Sequence, residues 1–114
     1  MIERNWEEFW LNKDFAIPPS NFHQKQKTDF MKSLCKDKEN GKVIECGCFP
    51  GKWLVWFNKE LKMQPYGIDI LPEKYTKSFL DKFNVKAIIK KADVRKIPFK
   101  DNTFDVVYSF GLIE

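Results

Sequence analysis

The chain has 114 residues, of which 43% are hydrophobic and 16% aromatic, and its formal net charge is +4. This composition is sufficient for one packed domain and excludes a disordered chain. Because the charge is small and mixed in sign, it gives no reason to expect a nucleic-acid partner.

The sequence contains no run of about 18 apolar residues, the length that spans a bilayer, and its N-terminus lacks the basic and then apolar order of a signal peptide. We therefore expect a cytoplasmic protein with no membrane partner. Two of the three cysteines are separated by one residue, which is a poor disulfide framework, so reduced thiols are expected.

Apolar side chains at helical spacing predict a short amphipathic helix within residues 1–15. Its aromatic face comprises Ile2, Trp6, Phe9 and Trp10. After the interruption at Pro18 and Pro19, Ser20 can cap a second helix that runs to about residue 36. The stripe expected to face the core comprises Phe22, Phe30, Met31 and Leu34.

Strand and helix patterns alternate from Lys42 onward. The β-branched pair Val43 and Ile44 follows a polar turn and predicts a buried first strand, which breaks into a glycine-containing turn. The first predicted strand begins near residue 42 and ends at Glu45, the others cover residues 66–70, 85–89 and 104–110, and helices follow the first two. The second of these helices is predicted to bury Tyr75, Phe79, Leu80 and Phe83. This alternation is typical of an α/β fold with a parallel sheet.

An acidic residue ends each of the first three predicted strands. Glu45, Asp69 and Asp93 are spaced 24 residues apart, which is one strand-helix period. In a parallel sheet this period brings all three carboxylates to one edge, where they suit a ligand with sugar hydroxyls and amines. For any single acid, solvation or helix capping is an equally good explanation.

Four segments resemble the class I S-adenosylmethionine-dependent methyltransferases. Residues 43–51 are similar to the first motif of that family, residues 67–69 to the acidic motif ending strand two, and residues 92–94 to the adenine-contacting motif. Residues 97–109 resemble the long signature of the small-molecule branch and are the most specific of the four. The resemblance implies a Rossmann-like parallel sheet, of which residues 42–114 form the N-terminal half after a helical extension in residues 1–41.

The resemblance implies S-adenosylmethionine as the cofactor and gives roles to individual residues. Glu45, Gly47 and Gly51 would surround its methionine part, Asp69 would accept the ribose hydroxyls, and Asp93 with the Val94 amide would read the adenine edge. We expect Tyr108 and Ser109 to line the methyl-donor pocket. The full expected cofactor-binding set is Glu45, Gly47, Cys48, Phe49, Gly51, Asp69, Ile70, Asp93, Val94, Tyr108 and Ser109.

Two departures from the family pattern matter. Phe49 stands where the family usually has glycine, and residues 49–51 are similar to a version found in RNA 2′-O-methyltransferases. Those enzymes share an aspartate that closes strand four, which residues 108–110 lack, so an RNA substrate is the weaker alternative. A dinucleotide-binding loop would need glycine at Phe49 and Lys52 and is excluded.

The second departure is that the sequence ends just beyond strand four, whereas the family sheet has about seven strands. Either the chain is a fragment, or it is completed by pairing, because strand four would otherwise be an exposed apolar edge. We therefore expect self-association through strand four. The expected function is methyl transfer to a small-molecule acceptor, and the rival is a truncated cofactor-binding module without catalysis.

The remaining candidates have simpler explanations. Cys46 and Cys48 are too few ligands for a structural zinc, so no metal is expected. His23 is a possible general base but has polar neighbours, and no catalytic base is assigned. The tryptophans are expected in the core, although Trp6 or Trp10 could form a substrate cage. The cations expected to form a solvated rim are Lys86, Lys90, Lys91, Arg95, Lys96 and Lys100.

Overall fold

A computed structural model of the chain describes residues 16–110. The elements in this range follow one another as α1 (Phe22–Leu34), β1 (Lys42–Cys46), α2 (Lys52–Leu61), β2 (Gln64–Asp69), α3 (Glu73–Asp81), β3 (Ile88–Lys91) and β4 (Val106–Tyr108). All strand pairs are parallel, and the order across the sheet is β3-β2-β1-β4. This confirms the predicted Rossmann-like α/β sheet. The helix predicted within residues 1–15 lies outside the described residues.

β1 lies in the interior of the sheet and pairs with β2 on one side and β4 on the other. Glu45 is in register with Gly67 of β2 and with Tyr108 of β4. The chain moves outward from β1 through β2 to β3 and then returns to place β4 on the opposite side. In open α/β sheets, ligands bind at the carboxyl ends of the strands beside such a reversal.

The two faces of the sheet are covered by separate apolar clusters. On one face, α2 packs its buried side chains, among them Trp56 and Phe57, against Val43. On the other face, Ile44 packs with Tyr66, whose ring contacts Phe104 edge to face at 4.9 Å. Because side chains alternate along a strand, Glu45 projects to the same face as Val43.

Helix α1 begins one residue later than predicted and turns a different face toward the core. Its N-cap is Asn21, whose side chain accepts the backbone amide of Gln24 at 2.9 Å, whereas Ser20 donates its hydroxyl to the Gln24 side chain. The predicted core stripe was largely wrong. The side chains of Phe22, Phe30 and Leu34 are 75%, 64% and 64% exposed, and the buried members of α1 are Thr28 and Met31.

The two outer strands also differ from the prediction. β3 was expected at residues 85–89 but lies at Ile88–Lys91, because an edge strand with solvent on one side accommodates lysines that an apolar pattern does not include. β4 is shorter than the predicted residues 104–110, and its Val107 is 62% exposed. Among the side chains predicted to be buried on and after α3, Leu80 is fully buried and Tyr75, Phe79 and Phe83 are partly buried.

None of the helices within residues 16–110 combines the length and apolar character needed to cross a bilayer. Cys35, Cys46 and Cys48 are buried and carry free thiols. Burial is the main cause that raises the pKa of each thiol.

Candidate functional site

The candidate site is formed around the loop that joins β1 to α2, at the carboxyl edge of the sheet. Gly47 and Gly51 both have left-handed backbone angles, with φ of 76° and 114°. The backbone amides of Gly47 and Cys48 donate to the Ile68 carbonyl at 2.9 and 3.0 Å, which bends the loop over the end of β2. Glycine is favoured at both positions because side chains rarely adopt such angles.

Asp69 fixes this loop from the end of β2. One carboxylate oxygen accepts the backbone amide of Phe49 at 2.9 Å, and the other accepts the amide of Leu71 at 3.0 Å. Charge-assisted hydrogen bonds of this kind are stronger than neutral ones. The carboxylate expected to bind ribose is therefore also the anchor of the loop beside it.

Glu45 is the buried acid of the site, with only 4% of the residue exposed. Its Oε1 accepts a hydrogen bond from the Tyr108 hydroxyl at 3.2 Å. Burial raises the pKa of Glu45 well above its ordinary value, and the negative charge of Asp69 raises it further. The Tyr108 hydrogen bond and the positive charge of Lys52 act in the opposite direction. Burial thus acts against the charged form of this carboxyl group, and the Tyr108 hydroxyl and Lys52 act in its favour.

Aromatic packing of the Tyr108 ring positions its hydroxyl group beside Glu45. Its ring centroid is 4.8 Å from that of Phe57 and 5.3 Å from that of Phe110. Burial, followed by the charge of Glu45, raises the pKa of Tyr108 well above its ordinary value. Tyr108 therefore stays protonated and acts as a hydrogen-bond donor.

Asp93 follows β3 at the same edge of the sheet, but its carboxylate contacts a neighbouring cation. It accepts the backbone amide of Arg95 at 2.9 Å and the guanidinium Nη2 at 2.6 Å. These hydrogen bonds lower the pKa of Asp93 to about 2. The side chain keeps 44% exposure, and the adjoining Val94 is exposed. The role of Asp93 and Val94 at adenine stays a prediction.

The other expected site residues differ in how far they are buried. The side chain of Cys48 is buried in the core beneath the loop, so only its backbone faces the site. Phe49 is partly buried, whereas Ile70 and Ser109 are exposed near the ends of β2 and β4. Among the described residues, no group of histidine, cysteine or acidic side chains is arranged to hold a metal ion.

Gly67 supports the loop and was not predicted as a site residue. A Cβ atom at this position would lie 2.6 Å from Cys48 Sγ, so a larger residue would displace the loop. A glycine inside a strand pattern was the available signal, since it often marks a close approach of another backbone.

The remaining polar and basic candidates within residues 16–110 are exposed. His23 is exposed on α1. The basic side chains expected to form a solvated rim are all exposed, and Arg95 is the one that pairs with Asp93.

A parallel sheet with a glycine-bent loop and a buried acid at the end of β1, and a second acid at the end of β2, has the arrangement in which α/β domains bind ligands. The family model described as "Methyltransferase domain" matches residues 43–114. The chain belongs to this methyltransferase domain family. A search of the curated proteins finds no match.

Solved structures show the same fold. An S-adenosylmethionine-dependent methyltransferase from Aquifex aeolicus is 27% identical with a TM-score of 0.58, and the match covers 68% of this chain and 46% of that one. Coclaurine N-methyltransferase, bound to N-methylheliamine and SAH, is 14% identical with a TM-score of 0.63, covering 83% and 30%. Geranyl diphosphate C-methyltransferase from Streptomyces coelicolor is 8% identical with a TM-score of 0.59, covering 90% and 50%. The chain thus spans half or less of each of these structures.

Family membership and fold indicate S-adenosylmethionine as the cofactor, and the hydrogen-bond acceptors of the site fit this molecule. A buried carboxyl group at Glu45 suits a cationic amine. Each carboxylate oxygen of Asp69 accepts one backbone amide and has a lone pair left for a hydroxyl group.

Proposed function

We propose that this chain binds S-adenosylmethionine at the loop between β1 and α2 and supports methyl transfer to a small-molecule acceptor. The observation that carries the proposal is the pair of acids at the carboxyl edge of the sheet: Glu45 is buried beside the loop, and Asp69 holds that loop by the Phe49 amide. When bound, the cofactor supplies an electrophilic methyl group on a sulfonium centre.

The residues of the chain bind and orient in this proposal. Glu45 accepts the amino group of the methionine part, and Asp69 accepts the ribose hydroxyls while it keeps the loop in place. Asp93 and the Val94 amide contact the adenine edge, which requires the Asp93 carboxylate to share or leave its contact with Arg95. The remaining expected contacts are Gly47, Cys48, Phe49, Gly51, Ile70, Tyr108 and Ser109.

A small-molecule acceptor is supported by two observations. Residues 97–109 resemble the signature of the small-molecule branch, and two structural relatives were solved with N-methylheliamine and with geranyl diphosphate bound. Methyl transfer is an in-line displacement in which alignment and exclusion of water supply most of the catalysis. A base on the chain is not assigned.

The second candidate is a cofactor-binding module without catalysis. The chain spans 30% to 50% of the three methyltransferase structures described above, and this candidate requires only the cofactor site. Both candidates require the same cofactor site and differ only in whether a methyl group is transferred.

Isothermal titration with S-adenosylmethionine tests the shared site. We expect binding that Asp69→Ala weakens by about 100-fold, because charge-assisted hydrogen bonds to the ribose and the loop are lost. Asp29→Ala is the matched control, since Asp29 is an exposed carboxylate on α1 that pairs with Lys25. Equal affinity in wild type and Asp69→Ala would contradict the ribose assignment.

Transfer of a labelled methyl group to a panel of small amines and hydroxyl compounds separates the two candidates. Transfer that depends on the protein supports the enzyme. Cofactor binding without transfer to any acceptor, RNA included, supports the binding module.

A further inference from the structure

The contact between Glu45 and Tyr108 goes beyond what cofactor recognition by a carboxylate requires. Glu45 is 4% exposed, and its Oε1 receives the Tyr108 hydroxyl at 3.2 Å. A buried carboxylate next to a cationic ligand would be expected to await that ligand in its charged form. Here the group that the structure places against Glu45 is a neutral hydroxyl on a different strand.

The surroundings of Glu45 decide which form of the acid is stable before a ligand binds. Tyr108 faces it from β4, Asp69 acts on it from the end of β2 and Lys52 from the start of α2. On its own strand and loop, Cys46 and Cys48 are electrostatically coupled to it. Burial and the negative charge of Asp69 favour the neutral acid, and they outweigh the contributions of Lys52 and Tyr108.

We propose that binding of the cofactor's ammonium group releases a proton from Glu45, and that Tyr108 is a positioning residue that holds the resulting carboxylate. This inference rests on the proposed function. The O–H bond of the Glu45 carboxyl group breaks, the proton leaves to solvent, and the ammonium group keeps its own protons in the new ion pair. Cofactor affinity is then linked to pH through Glu45, and the hydroxyl of Tyr108 sets the pH range in which binding occurs.

Hydrogen-bond chemistry supports the role of Tyr108 in holding the Glu45 carboxylate. A hydroxyl donor stabilises the carboxylate more than the neutral acid, since hydrogen bonds to charged acceptors are the stronger ones. Because Tyr108 is partly buried and its pKa is raised well above its ordinary value, it remains a donor throughout the neutral range. Asp69, at the edge of the site, does not need such a partner because backbone amides already stabilise its charge.

The test is titration calorimetry of the full chain in pairs of buffers that differ in ionisation enthalpy, between pH 5.5 and 7.5. Two ligands are compared. S-adenosylhomocysteine carries the amino-acid end, and methylthioadenosine lacks it. We expect release of about one proton with S-adenosylhomocysteine and none with methylthioadenosine, and an affinity for S-adenosylhomocysteine that rises by up to about tenfold per pH unit.

Two conservative variants test whether the released proton comes from Glu45 and whether Tyr108 sets the pH range of binding. Glu45→Gln keeps the acceptor for Tyr108 and should abolish proton release. Tyr108→Phe should move the midpoint of the affinity profile upward by about one pH unit, with affinity recovering at the alkaline end. If Tyr108→Phe only disturbed packing, it would lower the affinity equally at every pH. Circular dichroism confirms that both variants are folded.

Equal proton release with both ligands, or release that persists in Glu45→Gln, would overturn the proposal and leave the cofactor site intact. A Tyr108→Phe profile with an unchanged midpoint would remove the positioning role of Tyr108. If neither ligand binds, the proposed function itself fails together with this inference.

Discussion

Asp69 accepts the backbone amide of Phe49 across 20 residues of sequence, at 2.9 Å. This single hydrogen bond joins the end of β2 to the loop that follows β1. It makes the position of the loop depend on an acid that the family resemblance assigns to the cofactor. The loop and the ligand-binding carboxylate therefore form one structural unit.

Replacement of Asp69 by alanine should loosen the loop even when no ligand is present. The amide of Phe49 loses a charged acceptor, so its hydrogen exchange should accelerate by about 10- to 100-fold. Exchange followed by mass spectrometry or NMR measures this effect. Asp29→Ala, on the exposed side of α1, should leave exchange in the loop unchanged. Unaltered protection of Phe49 in Asp69→Ala would show that the loop is held by other contacts.

In the free wild-type protein, the unfolding free energy should decrease as pH rises because of Glu45. Glu45→Gln should remove this decrease. The pKa of Glu45 is raised in the folded state, chiefly by burial, so its favourable contribution is complete below the unfolded pKa of about 4.3 and declines toward the folded pKa. Above that range the wild type carries an unfavourable buried charge. Denaturant unfolding at pH 4.5, 6 and 7.5 should therefore show a steeper decline in unfolding free energy for wild type than for Glu45→Gln.

Glu73→Gln is a control, because the stability that Glu73 contributes should depend on pH in the opposite direction. The Glu73 carboxylate accepts the Lys91 amide at 3.2 Å, which lowers the pKa of Glu73. Its contribution is present above the unfolded pKa and is lost as pH falls through the folded pKa. Glu73→Gln should thus reduce stability at neutral pH and converge on wild type in acid. Parallel pH profiles for the two variants would contradict both assignments.

The parallel arrangement of the strands could be predicted because it follows from local patterns that repeat. Val43 and Ile44 form an apolar strand before a glycine turn, and the spacing of Glu45, Asp69 and Asp93 matches one strand-helix unit. The structure places these acids at or beyond the carboxyl ends of β1, β2 and β3. Short-range spacing was sufficient for this inference because a parallel sheet repeats the same unit.

The features that could not be predicted depend on contacts between distant residues. The hydrogen bond from Tyr108 to Glu45 joins positions 63 residues apart and is determined by the pairing of β1 with β4. The partner of Asp93 depended on the conformation of a turn, in which the Arg95 side chain folds back onto the carboxylate. For α1, the apolar residues did not indicate which face would contact α2, since Met31 is buried and Phe30 is exposed.

This difference between neighbouring residues of α1 gives a direct stability test. Met31 packs in the cluster that contains Trp53 and Phe57, so Met31→Ala should cost about 2–3 kcal/mol of unfolding free energy. Phe30 is 64% exposed, and Phe30→Ala should change stability by less than about 0.5 kcal/mol. Denaturant unfolding of the two variants measures both values. A larger cost for Phe30 would mean that the exposed stripe of α1 is covered in solution.

Gly67→Ala tests the close approach of the loop to β2. The new Cβ would lie 2.6 Å from Cys48 Sγ, 2.8 Å from Cys48 Cβ and 3.1 Å from Ile89 Cδ1. Overpacking of this kind should cost about 1–3 kcal/mol and displace the loop. Combining it with Cys48→Ala, which removes the sulfur, should recover part of the loss. A double-mutant cycle reports the coupling, and strict additivity would contradict the contact.

The three thiols should be unreactive in the folded protein. Cys35, Cys46 and Cys48 are buried, and burial with the nearby negative charges of Glu45 and Asp69 raises the pKa of Cys48. Thiolate is the reactive form, so both access and ionisation are suppressed. A disulfide reagent should titrate three thiols rapidly in denaturant and none rapidly in native buffer. Fast reaction of Cys48 in the native protein, detected by peptide mapping, would mean that the loop opens and exposes the core beneath it.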